Sequence, residues 1–251
     1  MNITTNLLYH DTINFLKKKW LTTLIIVLIA SSITVFLDNI FLSNSSILMI
    51  IYKSTISPNY SFFDLLQTLT LNQKKQLLFF TTEKLFSSLI SNTFLIGILT
   101  IFIKSNSFSK HNFYLELKNI NLLLFVNLFL LILVNTIIVQ LGFMLLIAPG
   151  ILFFSFFSLS PIILIINNKN IIQSMVSSVK ITLQNLQIIF PAIIFWLFSK
   201  LIVLILFLHI KIIPIFIVFL LLNITINLIS SVLIIYLFRF YMLSSLLQNS
   251  N

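Results

Sequence analysis

The 251-residue chain contains no cysteine, only three glycines and only five acidic residues. Without cysteine there are no disulfides, no thiolate nucleophile and no cysteine-ligated zinc or iron–sulfur centre. The acids Asp11, Asp38, Asp64, Glu83 and Glu116 are scattered, so the sequence shows no carboxylate pair for acid–base chemistry. The histidines His10, His111 and His209 lack metal-ligand spacing. No Walker loop or dinucleotide fingerprint occurs, and no GxSxG or SxxK places a serine as a nucleophile. Gly97, Gly142 and Gly150 form no GxxxG pattern.

Charge is scarce as well. Charged residues make up 8% of the chain, against about 25% in soluble domains. Apolar residues make up 59%, and the mean hydropathy is +1.13. A soluble fold of this size has too little polar surface to cover such a core. Lipid as solvent removes the conflict, and the expected fold is all-α: a polytopic bundle of transmembrane helices forming one domain over residues 1–251. Twenty-seven Phe against three Gly, with abundant Ile, Asn and Lys, reads as an A+T-rich coding bias.

What is present is a series of apolar runs, each long enough to cross a bilayer, which takes about 20 residues. They predict six spans, at about 20–41, 85–103, 120–147, 151–166, 188–208 and 215–243. Trp20 to Phe41 exceeds a signal-peptide core, so an uncleaved first span is expected despite Lys17, Lys18 and Lys19 before it. Ala148-Pro149-Gly150 is the predicted break between the third and fourth spans.

Two interfacial helices are also predicted, at about 62–82 and 168–186. In the first, Thr70-Leu71-Asn72-Gln73 fits a capping box that starts a helix at Leu71 running towards the second span. In the second, Ile171, Ile172, Met175, Val176, Val179, Leu183 and Leu186 form an apolar stripe. Gln173, Ser174, Ser177, Lys180, Gln184 and Asn185 lie opposite. That pattern predicts a helix lying on the membrane surface, or one packed on other protein.

The net charge of +10 points to topology rather than nucleic acid, because the cations flank the spans. With the amino terminus inside, Lys17, Lys18, Lys19, Lys104, Lys110, Lys118, Lys169, Lys180 and Arg239 are cytoplasmic. Lys53, Lys74, Lys75, Lys84 and Lys211 are external. Tyr9, Trp20, Tyr236 and Tyr241 fall near the inner boundaries, where amphipathic rings belong.

Lys200 is the one ionisable residue well inside a span, and such a residue is by default a functional hypothesis. Asp38 is the nearest acid in depth, and a poor match. The simpler expectation is that Lys200 snorkels, is neutral, or meets carbonyls or lipid phosphate. Asn223 and Asn227 on the sixth span, and Asn135 and Gln140 on the third, are expected to tie helices together rather than line a path.

Four stretches resemble one family: Asp11-Thr12-Ile13-Asn14-Phe15; Phe63-Asp64-Leu65-Leu66 with the capped helix after it; Gln140-Leu141-Gly142-Phe143-Met144-Leu145 ahead of Pro149-Gly150; and Ile234-Ile235-Tyr236-Leu237-Phe238-Arg239-Phe240-Tyr241-Met242-Leu243. In this order, over essentially the whole chain, they look like the YciC-type inner-membrane proteins of enterobacteria, here an endosymbiont-like member. The resemblance implies a multi-pass protein of the cytoplasmic membrane with no assigned activity, so it carries no functional residues.

The functional expectation is a non-enzymatic protein that organises membrane or binds partners, without catalytic, cofactor or metal residues. Its expected partners are the bilayer and anionic lipids at the cytoplasmic face, met by Lys169 and Lys180. The alternative is a small-solute transporter or channel using Lys200 and Asn223/Asn227.

Overall fold

The computed structural model describes residues 5–41, 69–108, 122–209 and 214–249. Eight helices lie within them: α1 (Thr5–Phe41), α2 (Leu71–Phe108), α3 (Leu122–Leu145), α4 (Ile147–Phe157), α5 (Ser160–Asn167), α6 (Ile171–Gln184), α7 (Leu186–Leu208) and α8 (Ile215–Asn249). Six segments are long and apolar enough to cross a membrane: Thr5–Ile40, Leu71–Asn106, Leu122–Leu145, Ile147–Asn167, Leu186–Phe207 and Ile217–Ser245. The expected all-α, six-span architecture is therefore present, and the protein is a multi-pass membrane protein.

The boundaries depart from the sequence reading in instructive ways. α1 begins at Thr5 rather than near Trp20. Its first part buries Leu8, Thr12 and Phe15 at helical spacing, and the backbone leaves helical geometry at Lys19 (φ −126, ψ 22) before the span proper. Residues 62–68 of the first predicted interfacial helix lie outside the described residues. The remainder is the opening of α2, continuous with the second span. Its capping box is reciprocal: the Thr70 amide donates to Gln73 Oε1 at 3.0 Å, and the Gln73 amide to Thr70 Oγ1 at 3.4 Å.

The break after the third span comes earlier than predicted. Leu146 is extended (φ −161, ψ 160), and α4 already contains Pro149 and Gly150 in its first turn. Proline is tolerated there because the first amides of a helix have no intrahelical acceptor. Gly150 serves close packing, not a left-handed turn. A Cβ on it would lie 2.5 Å from the Phe143 ring.

The fourth span is two helices. α4 ends at Phe157, and α5 starts again at Ser160 with Pro161 in its first turn. Freed carbonyls inside a membrane need donors, and neighbouring hydroxyls are the usual supply. Ser160 Oγ donates to Phe157 O at 2.7 Å, and Ser158 Oγ to Ser155 O at 2.8 Å. From α6, Ser178 Oγ donates to Phe156 O, and Thr182 Oγ1 to Ser155 O at 3.4 Å.

α6 packs through a row of small hydroxyls that lies between its predicted apolar and polar sides. Ser174, Ser178 and Thr182 are its buried row, while Ile172, Val176 and Leu183 are 75%, 63% and 53% exposed. The hydroxyl face seals the broken span, and much of the apolar stripe faces outward. Only Met175 and Ile171 of that stripe pack against the buried clusters.

α5 is the centre of the bundle, with Ser160 to Ile165 all buried. One core joins Phe15, Val27, Leu99, Ile163, Ile193 and Phe238; a second joins Leu89, Leu128, Leu131 and Ile165. α5 closes at Asn168, which is left-handed (φ 49) as a helix-ending Asn tolerates. Lys104 Nζ donates to Ile165 O at 3.5 Å there. Small hydroxyls, not glycines, join α1 to α2: Thr34 Oγ1 donates to Ser91 Oγ at 2.7 Å, and Ser91 Oγ to Ala30 O at 2.9 Å.

Candidate functional site: a chamber around Lys200

A cavity of about 320 Å³ opens inside the bundle between α2, α3, the α4–α5 break, α7 and α8. Its walls are largely aromatic and aliphatic: Phe143, Phe154, Phe157, Trp196, Leu233 and Leu237. Its polar groups come from Asn92, Asn135, Gln140, Ser158, Lys200 and Ser230. A mostly apolar wall with a few placed polar groups is the usual make-up of a small-molecule site.

Lys200 sits about 12 Å from the end of α7, at 1.5 Å rise per residue. Its Nζ lies 3.9 Å from the centroid of the Trp196 ring, one turn back along the helix. Snorkelling towards the near end of the helix, one of the alternatives expected from sequence, would take it the other way. Trp196 is itself fixed by stacking on Phe154, with centroids 4.9 Å apart and planes 8° from parallel. Among the described residues the two ion pairs are Lys84–Asp38 and Arg239–Asp11, so no carboxylate there compensates Lys200.

Two further polar atoms of chamber residues are buried without a hydrogen-bond partner: Asn135 Oδ1, an acceptor, and Trp196 Nε1, a donor. Asn135 holds its place by donating Nδ2 to Ser160 Oγ at 2.8 Å, so it joins α3 to α5 as expected of a helix-tying amide. The charged group the site offers is the Lys200 ammonium. Among the described residues no group of three His, Asp or Glu is placed to hold a metal ion.

Asn223 and Asn227 do not line this chamber. Asn227 Nδ2 donates to Ser31 Oγ at 2.9 Å, joining α8 to α1, and Asn223 Nδ2 to Phe219 O of its own helix at 2.9 Å. Ser230, one turn further along α8, is the residue that reaches the cavity. Asp38 does not serve Lys200 either. It is buried against Lys84, Nζ to Oδ2 2.6 Å, with Lys84 also 4.4 Å from the Phe219 ring centroid.

A second cavity of about 720 Å³ runs along the α2–α3 seam beside the chamber. Thr81, Thr82, Lys84, Ser88 and Asn92 line it from α2, and Thr136, Gln140, Phe143 and Met144 from α3. Spacing of i, i+3 and i+4 could have revealed the α2 row in the sequence. Its meeting with Gln140 and Phe143 could not have been read there.

At the opposite end, the first and last of the resembling stretches meet. Arg239 Nε lies 3.6 Å from Asp11 Oδ2, and its guanidinium is 4.9 Å from the Phe15 ring centroid. The Asn167 amide donates to Tyr241 Oη at 2.9 Å, and Tyr236 Oη to Ile188 O at 3.5 Å. These two tyrosines hold helices together, whereas Tyr9 and Trp20 are exposed as boundary rings should be.

Comparison with known proteins agrees with this architecture. The chain is 44% identical over 243 residues to a UPF0259 membrane protein of Buchnera aphidicola subsp. Baizongia pistaciae, covering 97% of each chain. It is 33% identical to one of Pectobacterium carotovorum, covering 97% of this chain and 99% of that one. It is 32% identical to one of Yersinia pestis, covering 97% and 96%. No solved structure matches significantly. With the family profile matching residues 1–243, the chain belongs to the uncharacterised protein family UPF0259, the enterobacterial membrane-protein family its sequence resembles.

Proposed function

We propose that the protein is a non-enzymatic lipid-binding protein of the bacterial cytoplasmic membrane, with its amino terminus inside, that draws the acidic end of an amphiphile into the Lys200 chamber. The observation that carries this reading is a lysine in a cavity of the helix bundle whose ammonium, among the described residues, meets only an aromatic face. A lysine at a helix centre costs about 2.5–3.5 kcal/mol to insert. A desolvated cation–π contact returns about 2 kcal/mol. An anion from the bilayer would supply the balance, and the Phe143, Phe154 and Phe157 side of the wall suits an attached chain.

Around the rim, the outward face of α6 suits a lipid interface. Lys180 is exposed among Val176 and Leu183, and Lys169 donates Nζ to Ser177 Oγ at 3.3 Å. Anionic headgroups at Lys169 and Lys180 would be weaker, exchangeable contacts.

Transport is the second reading, because Ser158 and Pro161 of a broken helix line the chamber, as in many transporter sites. Native mass spectrometry of the protein from nanodiscs of mixed anionic and zwitterionic lipid tests binding. One anionic amphiphile should survive on the wild type and on Lys169→Gln/Lys180→Gln, and be lost from Lys200→Met. Equal retention by Lys200→Met overturns the proposal. Flux of that amphiphile across liposomes, abolished by the same substitution, would establish the transport reading.

A further inference from the structure

We infer that the groove between α2 and α3 is the way into the chamber, that it admits anions, and that Phe143 is its partition. This rests on the chamber being the ligand site, and adds the route and the residue that controls it.

Asn92, Thr136, Gln140 and Phe143 line both cavities, so the groove and the chamber adjoin at these four side chains. On α2, Thr81, Lys84, Ser88 and Asn92 recur at helical spacing and give the groove a polar wall. Asn92 Nδ2 donates to Ser88 Oγ at 3.3 Å, so the row is continuous. Away from the groove, the chamber wall is mainly apolar, with Ile234, Leu237 and Pro161 among its residues, and its polar groups Asn135, Ser158 and Ser230 stand singly on three different helices or breaks.

Charge gives the route a direction. At the groove, Lys84 is neutralised by Asp38 at 2.6 Å. In the chamber, Lys200 has no counter-charge among the described residues. A polar path ending on an uncompensated cation in low dielectric attracts anions and rejects cations.

Phe143 stands where the two spaces adjoin. Its ring is seated on Gly150, where a Cβ would come within 2.5 Å of it. Gly142 beside it allows the same closeness, since a Cβ there would lie 2.7 Å from Phe153. The extended Leu146 between α3 and α4 brings these glycines together. The partition is thus held by packing that tolerates no added methyl group.

The absence of cysteine makes a clean test. Ser230→Cys, or Val139→Cys as a second reporter in the same chamber, is placed in the full chain in right-side-out and everted membrane vesicles. Each is treated with impermeant methanethiosulfonates of opposite charge, one bearing a sulfonate and one a trimethylammonium group. Labelling should come from the face onto which Lys84 and Met144 open, external in the proposed orientation. Relative to a free thiol, the sulfonate should be favoured about tenfold, a factor worth about 1.4 kcal/mol. Lys200→Gln should abolish that preference. Phe143→Ala should speed both reagents several-fold, and Phe143→Trp should slow both.

No reaction from either face, equal rates for the two charges, or rates indifferent to residue 143 would each overturn the inference. Lys200-dependent lipid retention together with indifference to Phe143 would sink the route while leaving the chamber's function intact. Loss of both would sink both.

Discussion

Lys84 and Lys200 are the same side chain at the edges of neighbouring cavities, and the structure treats them oppositely. Lys84 meets a carboxylate at 2.6 Å and an aromatic ring at 4.4 Å, with its side chain 36% exposed. Among the described residues Lys200 has the aromatic ring at 3.9 Å and no carboxylate. The first arrangement is complete in itself and locks α1, α2 and α8. The second leaves the ammonium without a counter-charge among the described residues. A buried polar group that is fully partnered reads as structure; one left open beside a cavity reads as a site.

The largest effect should come from Lys84→Met, which strands Asp38, whose side chain is only 4% exposed. Breaking a buried pair in this way costs about 3–5 kcal/mol, visible as a fall in thermal midpoint in detergent. Asp38→Leu should cost less, because the half-exposed Lys84 can turn to solvent. The double substitution should recover much of the loss. A cycle without coupling would show that the pair is incidental.

Next comes the broken span. Ser178→Ala leaves Phe156 O without its donor, and about 1 kcal/mol is expected, between the membrane average of about 0.6 and the roughly 1–3 of soluble interiors. Gln173→Ala, on the exposed side of α6, should change stability by less than about 0.5 kcal/mol. If chemical denaturation in micelles ranks these two the other way, the assigned inner face of α6 is wrong.

Apart from the Gln173 control, the smallest change in stability is expected from Lys200→Met. Insertion cost and cation–π gain nearly cancel, so the protein should be more stable by about 1 kcal/mol or less. It should lose its bound amphiphile at the same time. A clear destabilisation would make Lys200 a second Lys84, and end the contrast on which the site was chosen.

These contrasts explain what could be read in advance. The capping box at Thr70 and Gln73 involves residues three apart, so sequence carries it whole. The early start of α1 is legible in Leu8, Thr12 and Phe15, which recur at helical spacing ahead of the lysines at 17–19. The apolar stripe and the polar side of α6 are legible in the sequence, but the buried row of Ser174, Ser178 and Thr182 runs between them. Amphipathicity marks the sides that meet two solvents and not the row that meets other helices. Only the carbonyls freed by the α4–α5 break show that its hydroxyls have work inside the bundle. Pairing was the hardest to see: Asp38 with Lys84, Asn227 with Ser31, and Arg239 with Asp11 lie far apart in the chain.

By itself the sequence determined that this polypeptide lives in lipid as about six helices, because apolar length and scarce charge admit no other solvent. It also determined where most helices begin, since caps and breaks are local. Tertiary structure alone decided which polar groups are spent on other helices and which are left facing a cavity. That choice depends on what stands opposite each side chain, and opposition across helices is not a property of neighbouring residues.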